Sequence, residues 1–130
     1  DPSILLYAVE NWPVDSVLMP VNPAEAVLGG FLDRVMPAAM DRGLAVIGMK
    51  VLGASHYISP QHGLTAELLL RFALSRQIST AIVGCSSPAE VAGLAETGRR
   101  FQPLSDGEEK MLLEVFRPHA RRLAYYRGVI

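Results

Sequence analysis

The stretch that decides the fold is residues 78–94, ISTAIVGCSSPAEVAGL. It begins with a short β-branched run, and a Gly, a Cys and two Ser separate that run from a helix start. Ser87 suits the N-cap of the helix, Pro88 suits its first position, and Glu90 completes a capping box with Ser87. The pattern therefore predicts a buried strand that runs directly into the N-terminus of a helix.

The junction between this strand and helix is a candidate anion site. It consists of small residues that leave their backbone N–H groups open, namely Gly84, Cys85, Ser86 and Ser87. The helix dipole adds about half a positive charge at the same point, which suits a phosphate. A structural turn without a ligand is the alternative, because many α/β proteins end a strand in this way. Glu90 favours that alternative, since its carboxylate can compete with a phosphate for the first turn.

Composition limits the class of protein and its partners. Half of the 130 residues are apolar, 19% are charged and the net charge is −1, so the chain can bury a core. The sequence has no basic stripe of the kind that binds nucleic acid, so a nucleic acid partner is not expected. It also has no apolar run close to the roughly 18 residues that a membrane-spanning helix needs. The single cysteine, Cys85, excludes an internal disulfide and is typical of a cytoplasmic protein. Because the first residue is Asp1 and not Met, we expect the sequence to be trimmed or to be part of a longer protein.

Three uninterrupted apolar runs predict three strands, at residues 15–21, 44–51 and 79–83. Helical patterns separate them at a spacing of roughly 30 residues, which is typical of consecutive βαβ units. Such strands are usually buried on both faces of a parallel sheet. The right-handed crossover rule then predicts that the three strands lie side by side in chain order.

Helical spacing and capping residues predict five helices around these strands. Pro37 should kink the second of them, and a capping box of Ser105 and Glu108 should open the last. The predicted helices cover residues 3–11, 31–42, 64–75, 88–96 and 105–116. The basic tail from about residue 118 is expected to be peripheral.

An isolated three-strand sheet would leave two unpaired edges, which favour aggregation. A closed (β/α)₈ barrel has no edges, but it needs about 250 residues. The chain has about half that length. These arguments leave two alternatives, a partial barrel and a small open α/β sheet.

Four segments carry a resemblance to a known family. They are residues 17–23 (VLMPVNP), 43–53 (GLAVIGMKVLG), 68–75 (LLLRFALS) and 78–91 (ISTAIVGCSSPAEV). Together they resemble the C-terminal part of an aldo/keto reductase, in the order of that family's last three barrel strands. The resemblance covers about residues 1–113. It implies that residues 1–130 form a partial (β/α)₈ TIM barrel, made of the last three parallel strands with their helices. It also implies an NAD(P)-dependent oxidoreductase that passes a hydride between the nicotinamide and a small carbonyl or alcohol substrate.

The resemblance further implies where the cofactor binds, at the C-terminal ends of the strands. Asn22 would lie near the nicotinamide, and Met49 stands where an aromatic residue usually stacks on it. Leu52 and Gly53 would begin the loop that passes the pyrophosphate. The turn beside the adenosine 2′-phosphate would be formed by Gly84, Cys85, Ser86 and Ser87.

Two departures from the family pattern bear on the cofactor. Leu18 stands in place of the Gln that usually binds the carboxamide. Glu90 aligns with the Arg that usually pairs with the 2′-phosphate, and an acid there suits a ribose hydroxyl better than a phosphate. The choice between NADP and NAD therefore stays open. The family's catalytic Tyr, Asp, Lys and His come from earlier strands, so no catalytic residue is assigned in this chain.

Lys50 is one of two lysines and is predicted at the C-terminal end of an apolar strand. A buried Lys at that place can form a Schiff base with a carbonyl substrate, as in a lyase. The alternatives are a side chain that extends to the rim of the barrel and one that binds a cofactor phosphate. Lys50 is therefore also a candidate cofactor-binding residue. The histidines show no metal-ligand spacing, so no metal site is expected.

Three functional hypotheses follow. The first is the cofactor-binding part of an NADP- or NAD-dependent aldo/keto reductase. The second is a non-catalytic half-barrel that self-associates through its exposed strand edges. The third is a Schiff-base lyase on the same fold, and it depends on Lys50 alone.

Overall fold

The protein is mixed α/β and is built on a three-strand parallel sheet. A computed structural model describes residues 1–128 of the chain. The strands are β1 (Ser16–Pro20), β2 (Ala45–Met49) and β3 (Thr80–Ala81), and they lie in the order β1–β2–β3. Both pairings are parallel. The prediction of three adjacent parallel strands in chain order is confirmed.

One helix precedes the sheet, and the others follow the strands. They are α1 (Pro2–Asn11), α2 (Pro23–Leu28), α3 (Met36–Asp41), α4 (Ala66–Leu74), α5 (Pro88–Arg99), α6 (Asp106–Phe116) and α7 (Ala120–Leu123). Most of them begin at a short polar residue whose side chain accepts a hydrogen bond from a backbone N–H of the first turn. These N-caps are Asp1, Asn22, Thr65, Ser87 and Ser105. Within residues 1–128, no helix is long and apolar enough to cross a bilayer.

Two helical segments differ from the sequence-based expectation. No helix was expected between β1 and residue 31, where the structure has the short helix α2, capped by Asn22. The single helix expected over residues 31–42 is a π-helical turn, Phe31–Val35, followed by α3. The irregular turn lies before Pro37 because proline lacks an N–H and its ring displaces the carbonyl four residues earlier.

The sheet is buried on one face only, which corrects the expectation of strands buried on both faces. On the covered face, Val17, Met19 and Val46 are 4%, 0% and 1% exposed. Side chains alternate along a strand, so their neighbours point the other way. On that second face Leu18 is 47% exposed, and Ile82, just beyond β3, is 57% exposed. The structure therefore has an open apolar sheet face, and within residues 1–128 β1 and β3 each pair with one neighbour.

The tail beyond residue 118 is packed into the protein, which corrects the expectation that it is peripheral. Ala120 and Ala124 are both 2% exposed. The hydroxyl of the buried Tyr57 donates a hydrogen bond to the carbonyl of Leu123 at 3.0 Å. Near the end of the described residues the tail forms a 3₁₀ turn, Tyr125–Arg127. The small alanines let the tail approach the rest of the protein closely, and buried polar partners hold the end of the tail in place.

Two ion pairs connect α4 with α6. Arg71 donates two hydrogen bonds to the Glu108 carboxylate, at 2.7 and 3.1 Å, and Arg76 pairs with Glu109 at 2.5 Å. The Arg71 guanidinium, with a smaller effect of the Ser105 cap, holds the pKa of Glu108 at about 2. The predicted capping box of Ser105 and Glu108 is confirmed, and the same carboxylate aligns α6 on α4.

Candidate functional site

Two adjoining cavities lie at the C-terminal ends of β2 and β3. One of about 280 Å³ is lined by Met49, Lys50, Leu52 and Gly84, among others. The other, of about 390 Å³, shares Leu52 and Gly84 with the first and extends along α5 past Glu90. We call the two cavities together the β2–β3 groove. The structure thus brings five of the sequence-predicted site residues to one groove.

The wall of the groove is a loop that turns sharply after β2. Lys50, Gly53, Ala54 and Ser55 all have φ between 53° and 69°, in the left-handed region that non-glycine residues rarely adopt. A Cβ on Gly53 would lie 2.4 Å from the ring of Tyr57, so only glycine fits there. Gly53 is buried behind the wall under that ring, whereas Leu52 lines the groove itself. Gly53 therefore shapes the loop, and Leu52 faces the cavity.

The junction between β3 and α5 is already occupied by an acidic side chain of the same chain. The N–H of Ser86 donates to Oε2 of Glu90 at 2.7 Å, and the N–H of Glu90 donates to Oγ of Ser87 at 3.2 Å. Gly84, Cys85 and Ser86 are exposed. The Ser86 N–H is one of the donors that a phosphate would need, so Glu90 competes with an anion at this point.

Asn22 is fully buried and joins the ends of β1 and β2. Its Oδ1 accepts the N–H of Glu25 at 3.1 Å, which caps α2. Its Nδ2 donates to the carbonyl of Lys50 at 3.1 Å and to the hydroxyl of Tyr126 at 2.9 Å. Asn22 therefore has a structural role at the base of the groove, and its amide is not exposed to a ligand.

Glu25 is also fully buried, and its partners come from the tail. Its carboxylate accepts hydrogen bonds from the hydroxyl of Tyr126 at 2.8 Å and from Nε of Arg127 at 3.1 Å. Nη2 of Arg127 also pairs with Glu25 and donates to the carbonyl of Gly29 at 2.6 Å. None of Glu25, Tyr126 and Arg127 was predicted from the sequence as part of a site. The NPAE motif at residues 22–25 is a helix-start signal, but it gives no indication of partners about 100 residues away.

Burial changes the acidity of two tyrosines in this region. It raises the pKa of Tyr57 to about 12. It also raises the pKa of Tyr126, and the nearby Glu25 carboxylate adds to that increase. Both phenols therefore stay protonated at neutral pH and are reluctant proton donors.

Lys50 places its ammonium group beside aromatic rings at the edge of the groove. Its Nζ is 5.7 Å from the ring centre of Tyr125 and 5.9 Å from that of Tyr126. Such contacts stabilise a cation. Lys50 and Met49 also border a smaller cavity of about 230 Å³ that reaches Leu18 on the open sheet face.

A larger cavity of about 750 Å³ lies away from the strand ends, between α4, α5 and α6. Charged side chains line much of it, including Glu67, Arg71 and Arg100. Ligands of open parallel sheets bind at the carboxyl ends of the strands, so the β2–β3 groove is the stronger candidate despite its smaller volume.

Comparisons of the chain with protein-family models, with curated proteins and with solved structures found no match. The function is therefore argued from the sequence and from the geometry of the groove. Among residues 1–128, no group of three or more His, Cys, Asp or Glu side chains is arranged to hold a metal ion.

Proposed function

We propose that this chain is the cofactor-binding C-terminal part of an NAD(P)-dependent aldo/keto reductase. The observation that carries the proposal is the β2–β3 groove. It joins Met49, Lys50 and Leu52 at the end of β2 to Gly84 at the end of β3 and to Glu90 on α5. This is the edge at which parallel α/β proteins bind nucleotides and at which (β/α)₈ barrels place their active sites.

The sheet supports the barrel interpretation. Three parallel strands in chain order, with a helical connection after each of the first two, have the arrangement that three consecutive units of a (β/α)₈ barrel would have. The open apolar face with Leu18 and Ile82 has the character of a barrel interior. The unpaired edges of β1 and β3 are the places where further strands would join.

A nicotinamide dinucleotide would use different residues at each end of the groove. Met49 and Lys50 would hold the nicotinamide end, Leu52 and Gly84 the pyrophosphate, and Leu94 the adenosine. When bound, the cofactor supplies the hydride that reduces a carbonyl substrate. The hydrogen bond from Ser86 to Glu90 bears on the choice of cofactor, because an acid at the adenosine end accepts from ribose hydroxyls and repels a 2′-phosphate. The groove therefore suits NADH better than NADPH.

Replacing Glu90 with arginine should strengthen NADPH binding about tenfold or more and leave NADH affinity within about twofold. Two unit charges about 4 Å apart interact by about 1 kcal/mol in water and about 4 kcal/mol at an effective dielectric constant of about 20. Glu90 is exposed, so the lower part of that range applies. Titration of both cofactors, followed by their own fluorescence, measures the two affinities. The unmodified protein should bind at least one of them with a Kd below about 1 mM.

Glu96→Gln is the matched control, because Glu96 lies on the same helix and pairs with Arg99 and Arg100 outside the groove. It should change neither affinity. Glu90→Gln should give a smaller NADPH effect in the same direction as Glu90→Arg. Equal changes for the two cofactors would show that Glu90 is only a helix cap. Absence of binding by the unmodified protein would refute the proposed function itself.

A self-associating, non-catalytic half-barrel is the second candidate, and the open sheet face favours it. The variant with Leu18→Lys and Ile82→Lys should weaken self-association of the chain about tenfold or more, because charged groups are costly to bury between apolar faces. Sedimentation equilibrium measures the effect. Val91→Lys is the control, since Val91 is 54% exposed on α5 and is not part of the sheet. An unmodified chain that stays monomeric at about 100 µM would exclude this candidate.

A further inference from the structure

We propose that Glu25 is a positioning residue for the β2–β3 groove, acting through Tyr126 and Asn22 on the backbone of Lys50. The inference rests on the proposed function, because the groove is taken to be the cofactor site. Glu25 has no contact with the groove, so its effect is transmitted by the hydrogen bonds that follow.

The carbonyl of Lys50 is the point at which the buried network meets the loop. It accepts one hydrogen bond from Nδ2 of Asn22 at 3.1 Å and another from the N–H of Gly53 at 3.2 Å. The first comes from the buried network, and the second closes the turn that forms the groove wall. Lys50 has a φ of 55°, a conformation that surrounding contacts must maintain in a non-glycine residue. Asn22 supplies such a contact.

The carboxylate of Glu25 fixes the direction of the hydrogen bond that it shares with Tyr126. An ionised carboxylate can only accept, so the hydroxyl of Tyr126 must donate its proton to Glu25. The lone pairs of that hydroxyl are then left to accept from Nδ2 of Asn22. Three partners then hold the Asn22 amide in one orientation, with its nitrogen toward the Lys50 carbonyl and the Tyr126 hydroxyl and its oxygen toward the N–H of Glu25.

The tail supplies two members of the hydrogen-bond network, Tyr126 and Arg127. Packing of the tail against Glu25 therefore affects ligand binding in the groove. Tyr126 and Arg127 approach Glu25 from a segment about 100 residues away. Arg127 is anchored a second time on the carbonyl of Gly29. Undocking of this segment would remove the donors of Glu25 and release Asn22, and with it the Lys50 carbonyl. The tail is therefore part of the support of the groove.

The test compares Tyr126→Phe with Tyr125→Phe in the full chain. Both variants lose one phenol oxygen and keep the ring. The hydroxyl of Tyr126 joins Asn22 to Glu25, whereas that of Tyr125 makes no hydrogen bond to any residue of the described part. Tyr126→Phe should weaken binding of NADH and NADPH about fivefold or more, as is typical of coupling between two sites. It should also speed amide hydrogen exchange at residues 51–53 about tenfold, with slow exchange retained in β1 and β2. Tyr125→Phe should change neither quantity.

The possible results distinguish the positioning role of Glu25 from the proposed cofactor-binding function. Unchanged affinity in Tyr126→Phe, with normal binding by the unmodified protein, would overturn the positioning role and leave the proposed function intact. If the unmodified protein binds neither cofactor, the proposed function is refuted. The positioning role is then tested by hydrogen exchange alone. Faster exchange at residues 51–53 then supports the positioning role, and equal rates overturn it. Glu25→Gln keeps the size of the side chain and removes its charge, so it serves as the second variant if Tyr126→Phe does not fold.

Discussion

The 130-residue chain alone should bind a nicotinamide cofactor and yet reduce aldehydes about 10²- to 10⁴-fold more slowly than a reductase with a positioned proton donor. Hydride transfer to a carbonyl produces an alkoxide, which needs a proton at once. Two tyrosines near the groove, the buried Tyr57 and the partly buried Tyr126, are poor proton sources. Burial raises the pKa of Tyr57 to about 12, and its hydroxyl is bonded to the carbonyl of Leu123. Burial also raises the pKa of Tyr126, whose proton is held by Glu25.

The loss of reduced cofactor absorbance in the presence of an aldehyde measures this rate. Tyr57→Phe is the control, and it should leave the residual rate unchanged, because that hydroxyl is engaged away from the groove. Turnover at about 1 s⁻¹ or faster, which is in the range of ordinary enzymes, would contradict the prediction. A proton donor would then lie within the chain, and a loss of that rate in Tyr57→Phe or Tyr126→Phe would identify it.

Replacing Glu25 with alanine should lower the free energy of unfolding by about 3 to 5 kcal/mol. The change removes the acceptor of the Tyr126 hydroxyl and of the Arg127 guanidinium, and the Arg127 side chain is only 13% exposed. A largely buried cation that loses its carboxylate partner is costly to keep out of water. Domains of this size are stable by about 5 to 15 kcal/mol, so the variant should be close to unfolding at room temperature. Urea denaturation followed by circular dichroism gives the difference.

Glu10→Ala is the matched control, since Glu10 is exposed on α1 and should change stability by less than about 0.5 kcal/mol. Glu25→Leu combined with Arg127→Met should recover most of the loss, because an apolar pair of similar volume often replaces a buried ion pair without cost. A penalty below about 1 kcal/mol for Glu25→Ala would show that this carboxylate is solvated or unpaired in solution.

Local signals in the sequence were sufficient for the strands and for most of the helix starts. The caps at Ser87 and Ser105 were predictable because each involves a backbone N–H three residues further on, and sequence spacing encodes such a contact directly. The parallel order of β1, β2 and β3 followed from apolar runs and from the handedness of crossovers. The short helix α2 was missed because its six residues are too few to show a helical period.

Glu90 shows how much of a residue's role can be predicted from the local sequence. Its place in the first turn of α5 and its competition with an anion were both open to prediction from the sequence. The structure adds the particular donor, the N–H of Ser86, because the backbone of the junction turns that group toward the carboxylate. The groove is a similar case. Its residues were predictable one by one from the resemblance, but the adjoining cavities exist only because the loop after β2 folds back toward α5.

By itself, the sequence determined the α/β class, the order of the strands and the caps of the helices, since each depends on residues close together in the chain. Tertiary structure alone decided which face of the sheet is covered, because an apolar run such as residues 15–21 has the same pattern whether one face or both are buried. It also decided that Glu25 is an internal acid bonded to Tyr126 and Arg127. Burial of a carboxylate is tolerated only where donors surround it, and here those donors come from a segment about 100 residues away, a relation that no local spacing encodes.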